Sequence, residues 1–503
     1  MAEADLRAER LKKLEILKKA GMEAYPARVA RTLSVLQFLE QFEALQSSKK
    51  EESIAGRVMS VREHGGIIFV DLFDGTGKVQ IVLKKGEEQQ GPTLESPGVK
   101  SDLAVLSDEQ FDLFFEAVDQ GDFVSATGAA FTTKRGEKSL QVGNWHMAAK
   151  SLLPMPDQWF GIKDEETRLR ERAVSILLDE DLRAMVERRS RFWKAIRQFL
   201  DVRGFLEVET PILETMPGGA DARPFITHHH ALDIDVYLRI APELWLKRLL
   251  IAGFPKIFEI GRNFRNEGQS REHAQDYTAL ETYEAYSSLE KGGDFVKDLY
   301  RHIAKEVYGK LTFDIGEHTV DLGVDWKPID FCEIIKKEFT IDPLSVSEED
   351  AIAAVHRAKI EVGEKLNKAR AVDHLWKKLR KNISGPAFLV GVPVYLEPLA
   401  KRYDKNPDTV ERLQVILGGS EMGKGFSELN DPQDQRARFQ EQQRLRDQGD
   451  EEAQRLNEPY IRDMEYGMPP AFGFGVSERL FAFFENKPIH EVQLFPLLRK
   501  KGI

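Results

Sequence analysis

Three stretches of the sequence concentrate residue types that can grip anions, cations and flat rings. The first runs over residues 258–286. A strand at 256–260 leads to Arg262, Arg265 and Glu267, and a polar loop at 268–276 carries Arg271 and His273. A second strand, 277–283, follows. Its period of two puts Tyr277, Ala279, Glu281 and Tyr283 on one face. Two tyrosines and a carboxylate do not make an ordinary core face, because a buried carboxylate needs partners. The face either meets solvent or lines a pocket for a cation beside a flat ring, with arginines at hand for an anion. The second stretch, 421–431, places Glu421 and Glu428 around Gly423 and Gly425, where the backbone can approach a ligand closely. Seven residues apart, the two glutamates fall on opposite faces if the run is extended. One would then be free to hold a metal while the other faces a different pocket. The alternative is a turn with exposed acids. The third stretch, 472–480, is a glycine-rich strand (Gly473, Gly475) passing into an apolar helix that opens with Arg479. It suits a nucleotide or phosphate, or is a packing pair of glycines. It has neither the Gly-Lys-Ser/Thr ending of a phosphate loop nor a dinucleotide fingerprint.

The elements that would position these groups fall into two regions. A helix over residues 1–24 and a short one over 34–45 precede β-branched runs at 54–61, 67–72 and 78–83, the last two joined by an Asp74-Gly75 turn. A Gly-, Pro- and Ser-containing insertion at 86–101 and a helix at 108–118 follow, then strands at 123–133 and 138–142. Three strands, a helix and two more strands is the order of a five-stranded OB barrel. Pro154 and Pro156 mark a linker. Beyond it come a long helix at 182–202, strands separated by loops, a helical stretch near 347–381, and sheet segments at 388–396 and 413–417. The Gln-, Arg- and Glu-rich run 434–456 reads as a solvated helix. With no regular βαβ alternation, the fold class is α+β, with a mixed or antiparallel sheet carrying flanking helices.

Composition sets limits on partners. Of 503 residues, 42% are hydrophobic and 31% charged, which is ordinary globular usage and argues against wholesale disorder. The longest nearly apolar run, 386–396, is too short to span a membrane. The formal charge of −11 gives no general attraction to nucleic acid, so any such partner must meet a local patch. The single cysteine, Cys332, excludes an internal disulfide and a cysteine-rich zinc site, and its apolar neighbours suggest a packing role. A disulfide-free chain suits the cytoplasm, and the N-terminal helix, of mixed charge with Glu3, Asp5, Glu9 and Glu15, resembles neither a signal nor a transit peptide.

Together the three stretches resemble the signature motifs of class II aminoacyl-tRNA synthetases, and the resemblance is close to the lysyl-tRNA synthetase family over nearly the whole chain. Motif 1 resembles residues 204–211, ending at Pro211. Motif 2 resembles Phe264-Arg265-Asn266-Glu267 and the following strand, and motif 3 the run to Glu478 and Arg479. Family-like stretches also cover 218–220, 224–225, 227–229, 239–244 and 425–431. The resemblance implies an enzyme that activates L-lysine with ATP, uses Mg2+, and transfers lysine to tRNA(Lys). It implies an anticodon-binding OB domain at 50–150 after a helical extension at 1–49. A catalytic domain at 151–503 would follow, with a helical insertion at about 290–385. It implies a homodimer with Pro211 at the interface.

Carried over residue by residue, the resemblance assigns Arg265 to the α-phosphate and substrate carboxylate, and Glu267 and His273 to ATP. Tyr277 would stack on adenine and Arg479 would lie along ATP. Gly219 and Glu243 would hold the α-amino group, and Glu281, Tyr283 and Glu428 would line the side-chain pocket. Glu421 would bind magnesium. In the barrel, Phe69 would stack an anticodon base, and Arg62, Gln80 and Glu137 would read bases. A core phenylalanine is the alternative for Phe69. Residues 53–150 hold ten Lys and Arg against fourteen Asp and Glu, so RNA binding must rest on a patch such as Lys134, Arg135 and Lys138.

The chain departs from the family at several points. Gln414 replaces a usual second metal-binding glutamate, Lys424 a usual asparagine, and His230 another asparagine; motif 3 is one residue shorter than usual. An amide oxygen can ligate magnesium but adds no charge. Lys424 would repel a lysine side chain if it faced the ammonium pocket, and help if it faced the carboxylate. The competing readings are a synthetase of the aspartate/asparagine group, which would want cationic or amide groups in its pocket, and a non-catalytic tRNA-binding protein built on the same fold.

Overall fold

The strands and helices below are those of a computed structural model, which describes residues 3–86, 106–156, 164–268, 270–362, 366–450 and 452–500. The chain divides into two units, residues 1–163 and 164–503. The insertion read at 86–101 lies, apart from Gly86, outside the described residues.

The first unit opens with helices α1 (Glu3–Lys19), α2 (Val35–Glu40) and α3 (Phe42–Ser48). Strands β1 (Glu51–His64), β2 (Ile67–Phe73) and β3 (Lys78–Lys84), helix α4 (Asp108–Ala117), and strands β4 (Phe123–Thr132) and β5 (Lys138–Ala149) follow. The strands close into a barrel in the order β1-β2-β3-β5-β4. The β-branched alternation explains the closure: Ile68, Val70 and Leu72 are fully buried inside it, and Phe69, Asp71 and Phe73 face out. Helix α2 is one of two short helices rather than part of one, because Ser34 and Gln37 form a capping box and the turn closes after six residues. The buried Lys150 ammonium bonds Asp119 at 2.7 Å and Asp122 at 2.8 Å and donates to the Ala117 carbonyl, tying the end of β5 to the end of α4.

The second unit begins with α5 (Glu165–Arg170), α6 (Arg172–Leu178) and α7 (Glu180–Val202), then short strands β6 (Leu206–Glu207), β7 (Leu213–Glu214), β8 (Ile226–His229) and β9 (Ile234–Leu238). Next come α8 (Glu243–Ile251), β10 (Lys256–Phe264), β11 (Asp276–Ala285), α9 (Leu289–Tyr308), β12 (Thr312–Ile315), β13 (His318–Asp321) and β14 (Lys327–Asp330). Helices α10 (Phe331–Phe339), α11 (Glu348–Arg357) and α12 (Lys368–Leu379) lead to β15 (Ala387–Val390), β16 (Arg402–Tyr403), β17 (Asn406–Val410), β18 (Arg412–Leu417) and β19 (Ser420–Ser427). The chain ends through α13 (Pro432–Asp447), α14 (Glu458–Met464), β20 (Ala471–Ser477) and α15 (Arg479–Phe484).

The main sheet runs β14-β15-β18-β19-β20-β11-β10-β6. It is antiparallel except at its two edges, where β14/β15 and β10/β6 pair parallel. One core joins α7 and α9 to residues of this sheet, with Phe192, Ile196, Val296 and Tyr300 among its helical members and Phe258, Leu280, Phe472 and Phe474 from the strands. A Cβ on Gly292 would come within 2.4 Å of the Phe472 ring, so the glycine lets α9 lie close to β20.

Two expectations are corrected here. The stretch 290–385 is not a helical insertion throughout. Its first helix, α9, belongs to the sheet's own core and β14 joins the sheet edge, because Leu299, Tyr300 and Ile303 form an apolar stripe that the sheet covers. Only α10, α11 and α12 gather on a separate core, around Ile335, Val355, Val372 and Leu375. The 434–456 run is not wholly solvated either. Helix α13 buries Gln435, Arg438, Phe439 and Gln442, a polar face made tolerable because Arg438 donates to the Glu397 and Ala400 carbonyls and pairs with Asp434.

Candidate active site

The bare side of the sheet's middle strands forms a cavity of about 720 Å3. Tyr277, Ala279, Glu281 and Tyr283 of β11 all line it, so the face read from the period of two is a pocket wall. Every other candidate of this domain lines the same cavity: Gly219, Glu243, Arg265, Glu267, His273, Gln414, Glu421, Glu428 and Arg479.

Glu421 and Glu428 share the cavity although seven residues separate them. The pairing of β18 with β19 shows why. Gln414 sits opposite Lys424 but Ile416 opposite Glu421, so Met422 and Gly423 together face one residue of β18. This bulge, with Gly423 at φ +130°, reverses the alternation and returns Glu421 to the face of Lys424. The expected opposite facing is therefore overturned.

At the amino-acid end, Glu428 is almost fully buried and the Tyr283 hydroxyl donates to Glu281 at 3.1 Å. Gly219, at φ +85°, lets the chain pass Glu243; a Cβ there would meet the Glu243 Cβ at 2.8 Å. Gly473 does the same for the pocket floor, since its Cβ would fall 2.1 Å from Glu428 Oε1 and 2.6 Å from the Tyr283 ring. Sequence reasoning missed Lys247. Its fully buried ammonium lies 2.6 Å from Glu243 and 2.6 Å from Glu428. Its spacing of four from Glu243 on one helix was the available signal. Burial pushes the Glu281 carboxyl up to about 8 and raises that of Glu428 as well, with Glu243 adding to the rise at both and Lys247 opposing it at Glu428.

At the other end lie groups suited to phosphate. Arg265 stands 5.6 Å from the centre of the Tyr277 ring, and its Nε is buried without a hydrogen-bond partner, as is the Nε of Arg479. Each guanidinium therefore has a donor left over for an anion. Glu267 is half-buried, and burial raises its carboxyl against the pull of Arg265. His273 Nδ1 is 2.7 Å from the Ser270 hydroxyl. Arg479 pairs with Glu272 at 2.6 Å, and Glu272 also accepts from Arg380 and from Ser420. Neither Glu272 nor Arg380 was singled out in the sequence, and the 108 positions between them give no periodic signal.

The metal candidates fare unequally. Glu421 Oε1 accepts from the Trp376 indole at 2.7 Å, which orients the carboxylate and leaves Oε2 for an ion. Gln414 does not fit the expected ligand role: Arg412 donates to its amide oxygen, the only ligating atom it has, and so brings a positive charge to that spot. Lys424 turns to Glu397, 3.1 Å away, and Glu397 also pairs with Arg412 at 3.0 Å.

On the barrel, Arg62 pairs with Phe69 across β1 and β2, Phe69 with Val82, and Asp71 with Gln80 across β2 and β3. Phe69 is half-buried on the outer face, between inward-pointing Ile68 and Val70, so it is not core filler. Arg62 is exposed and 3.5 Å from Asp71, Gln80 Oε1 accepts from the Ser139 hydroxyl, and Glu137 is exposed before β5.

A mostly antiparallel sheet whose open side carries spare arginine donors, an aromatic and a cluster of carboxylates, on a chain that also contains an OB barrel, defines the class: a class II synthetase. The comparisons agree. The family model described as tRNA synthetases class II (D, K and N) matches residues 164–499, and that of the OB-fold nucleic acid binding domain matches residues 52–148. The chain belongs to the class II tRNA synthetase family. Among its relatives is a protein of Thermotoga maritima, 37% identical over 99% of this chain and 96% of its own length. Another is from Carboxydothermus hydrogenoformans, 39% identical over 98% and 97%, and a third from Moorella thermoacetica, 38% identical over 99% of both. Each is named Lysine--tRNA ligase.

Proposed function

We propose that the protein is a lysine–tRNA ligase, which activates L-lysine with ATP and transfers it to the terminal ribose of tRNA(Lys). The observation that carries this reading is the set of three carboxylates, Glu243, Glu281 and Glu428, gathered with Tyr283 at one end of the cavity, while Arg265 and Arg479 keep free donors in the rest of it. An ammonium needs acceptors for three donors, which Glu281, Glu428 and Tyr283 supply. Similarity over nearly the full length, at 37% and 38% identity, to relatives named Lysine--tRNA ligase supports the same substrate.

In the first step an oxygen of the lysine carboxylate attacks the α-phosphorus, the bond to the β-phosphate oxygen breaks, and pyrophosphate leaves. No base is needed, because the carboxylate is already ionised. Arg265 brings the two anions together and stabilises the charge that builds on the α-phosphate. Gly219 and Glu243 fix the α-amino group, and Tyr277 lies under adenine with Glu267 and His273 beside the ATP. Arg479, released from Glu272, runs along the phosphates. A magnesium ion held by Glu421 would add Lewis-acid neutralisation of the phosphate oxygens; Gln414 is not among its ligands. In the second step a tRNA ribose hydroxyl attacks the activated carbonyl and AMP leaves.

Phe69 stacks an anticodon base, with Arg62, Gln80 and Glu137 around it. The active form is a homodimer. Val202, Leu206, Ile212, Leu213, Ile226 and Leu232, in and around the motif 1 segment and the β7-β9-β8 sheet, are all exposed, apolar side chains that a dimer interface would cover. The place of work is the cytoplasm; among the described residues no helix is long and apolar enough to cross a membrane.

An aspartate-type substrate is disfavoured because the nearby cations are already neutralised, Lys424 by Glu397 and Lys247 by Glu243 and Glu428. Charging of unfractionated tRNA with labelled lysine tests the proposal. The acceptor species should be tRNA(Lys), and labelled aspartate or asparagine should not be incorporated.

A further inference from the structure

Lys247 has no role in the reaction described so far, yet its ammonium sits inside the amino-acid end of the site. It is fully buried, one helical turn from Glu243 on α8. It contacts Glu243 Oε1 and Glu428 Oε2, each at 2.6 Å, and lies 5.2 Å from the Phe426 ring. Both carboxylates that it joins belong to the cavity wall. Glu428 keeps its other oxygen, Oε1, buried and without a hydrogen-bond partner. The groups facing this spot are Glu281 and Tyr283 from β11 and Tyr460 from α14; Arg248, paired with Asp463, acts on Tyr460 alone among these groups, and Arg265, Glu259 and Glu397 act from further off.

The charges can be matched to the substrate. With lysine bound and the three carboxylates ionised, the one fixed ammonium leaves two net negative charges. Lysine brings two ammonium groups to them and sends its carboxylate to Arg265. Without Lys247 the three carboxylates would face each other, and like charges so close cannot all stay ionised. We propose that Lys247 is a positioning and charge-setting residue, which holds the Glu243 and Glu428 carboxylates in place and ionised so that the pocket accepts an amino acid carrying a second ammonium. The inference rests on lysine being the substrate.

Two variants test it, Lys247→Met and the double variant Lys247→Met, Glu428→Gln, which restores the net charge. Lysine and ATP KM are measured by pyrophosphate exchange. Protons released on lysine binding at pH 7 are counted calorimetrically in two buffers of different ionisation enthalpy. Lys247→Met should raise the lysine KM by about 30-fold or more, as for truncating one partner of a buried charge pair, and leave the ATP KM within about twofold. Lysine binding should release about one more proton than in the wild type, and the double variant should return to the wild-type count. An unchanged proton count in Lys247→Met would overturn the proposal whatever its KM, since lost packing alone moves no proton. If Lys247→Met does not fold, the double variant decides: folding with the wild-type count supports the proposal, and a higher count, or failure to fold, overturns it. Absence of lysine-dependent exchange in the wild type would instead refute the lysine reading itself.

Discussion

Gly473→Ala should cripple lysine recognition while leaving ATP recognition intact. The added Cβ would lie 2.1 Å from Glu428 Oε1 and 2.6 Å from Tyr283 Cε1, well inside van der Waals contact. Gly473 pairs with Tyr283 on one side and Phe426 on the other, so β20 is held in register from both sides and cannot back away. The overlap is therefore relieved by moving the Glu428 carboxylate and the Tyr283 ring. A shift of more than 1 Å, roughly what the overlap demands, breaks the contact of Glu428 with Lys247 and the donation from Tyr283 to Glu281. Overpacking of this kind costs about 1–3 kcal/mol. Placed on the lysine-binding groups, that is roughly a 5- to 150-fold rise in lysine KM, at tenfold per 1.4 kcal/mol. ATP–pyrophosphate exchange measures it, with lysine and ATP varied in turn and the melting temperature taken on the same preparation. A lysine KM within twofold of wild type in a folded variant would refute the placement of Glu428 and Tyr283 against the substrate.

Four further outcomes follow. Phe69→Ala should lower kcat/KM for tRNA roughly 5- to 150-fold, because stacking on an aromatic is worth about 1–3 kcal/mol per base, and leave exchange and melting temperature near wild type. A large melting shift with unchanged tRNA charging would instead make Phe69 structural. The Glu281 carboxyl, raised to about 8, is protonated at pH 6.5, so kcat/KM for lysine should climb between pH 6.5 and 8; a profile flat over that range would contradict its role. Stability runs the opposite way. The folded state holds a proton on Glu281 that the unfolded chain, titrating near 4.5, has lost, so ligand-free stability should fall as pH rises from about 4.5 to 8. Leu213→Glu should shift the protein from dimer to monomer in sedimentation and reduce activity; a fully active variant that stays dimeric would remove β7 from the interface.

The legible parts of the site were those set by short-range rules. Alternation along β11 placed Tyr277, Ala279, Glu281 and Tyr283 on one wall, whereas the sequence left Phe69 open between core and surface until β2 showed it facing outward. Where alternation was interrupted, it misled: the bulge at Met422 and Gly423 put Glu421 and Glu428 in one cavity. Contacts made only by tertiary packing left no trace in the sequence, as with Glu272 and Arg380, or the Trp376 indole that orients Glu421 across 45 positions. Gln414 kept a ligand's atom type but lost the role, because Arg412, two residues before it, takes its oxygen. The polar α13 buries one face since backbone carbonyls at Glu397 and Ala400 satisfy Arg438, a compensation that composition cannot reveal.

The central claim is that one cavity activates lysine, and ATP–pyrophosphate exchange by the wild-type protein with each of the twenty amino acids in turn tests it most directly. Lysine alone should support magnesium-dependent exchange well above background. Exchange driven by aspartate or asparagine, or none with any amino acid, would contradict the account.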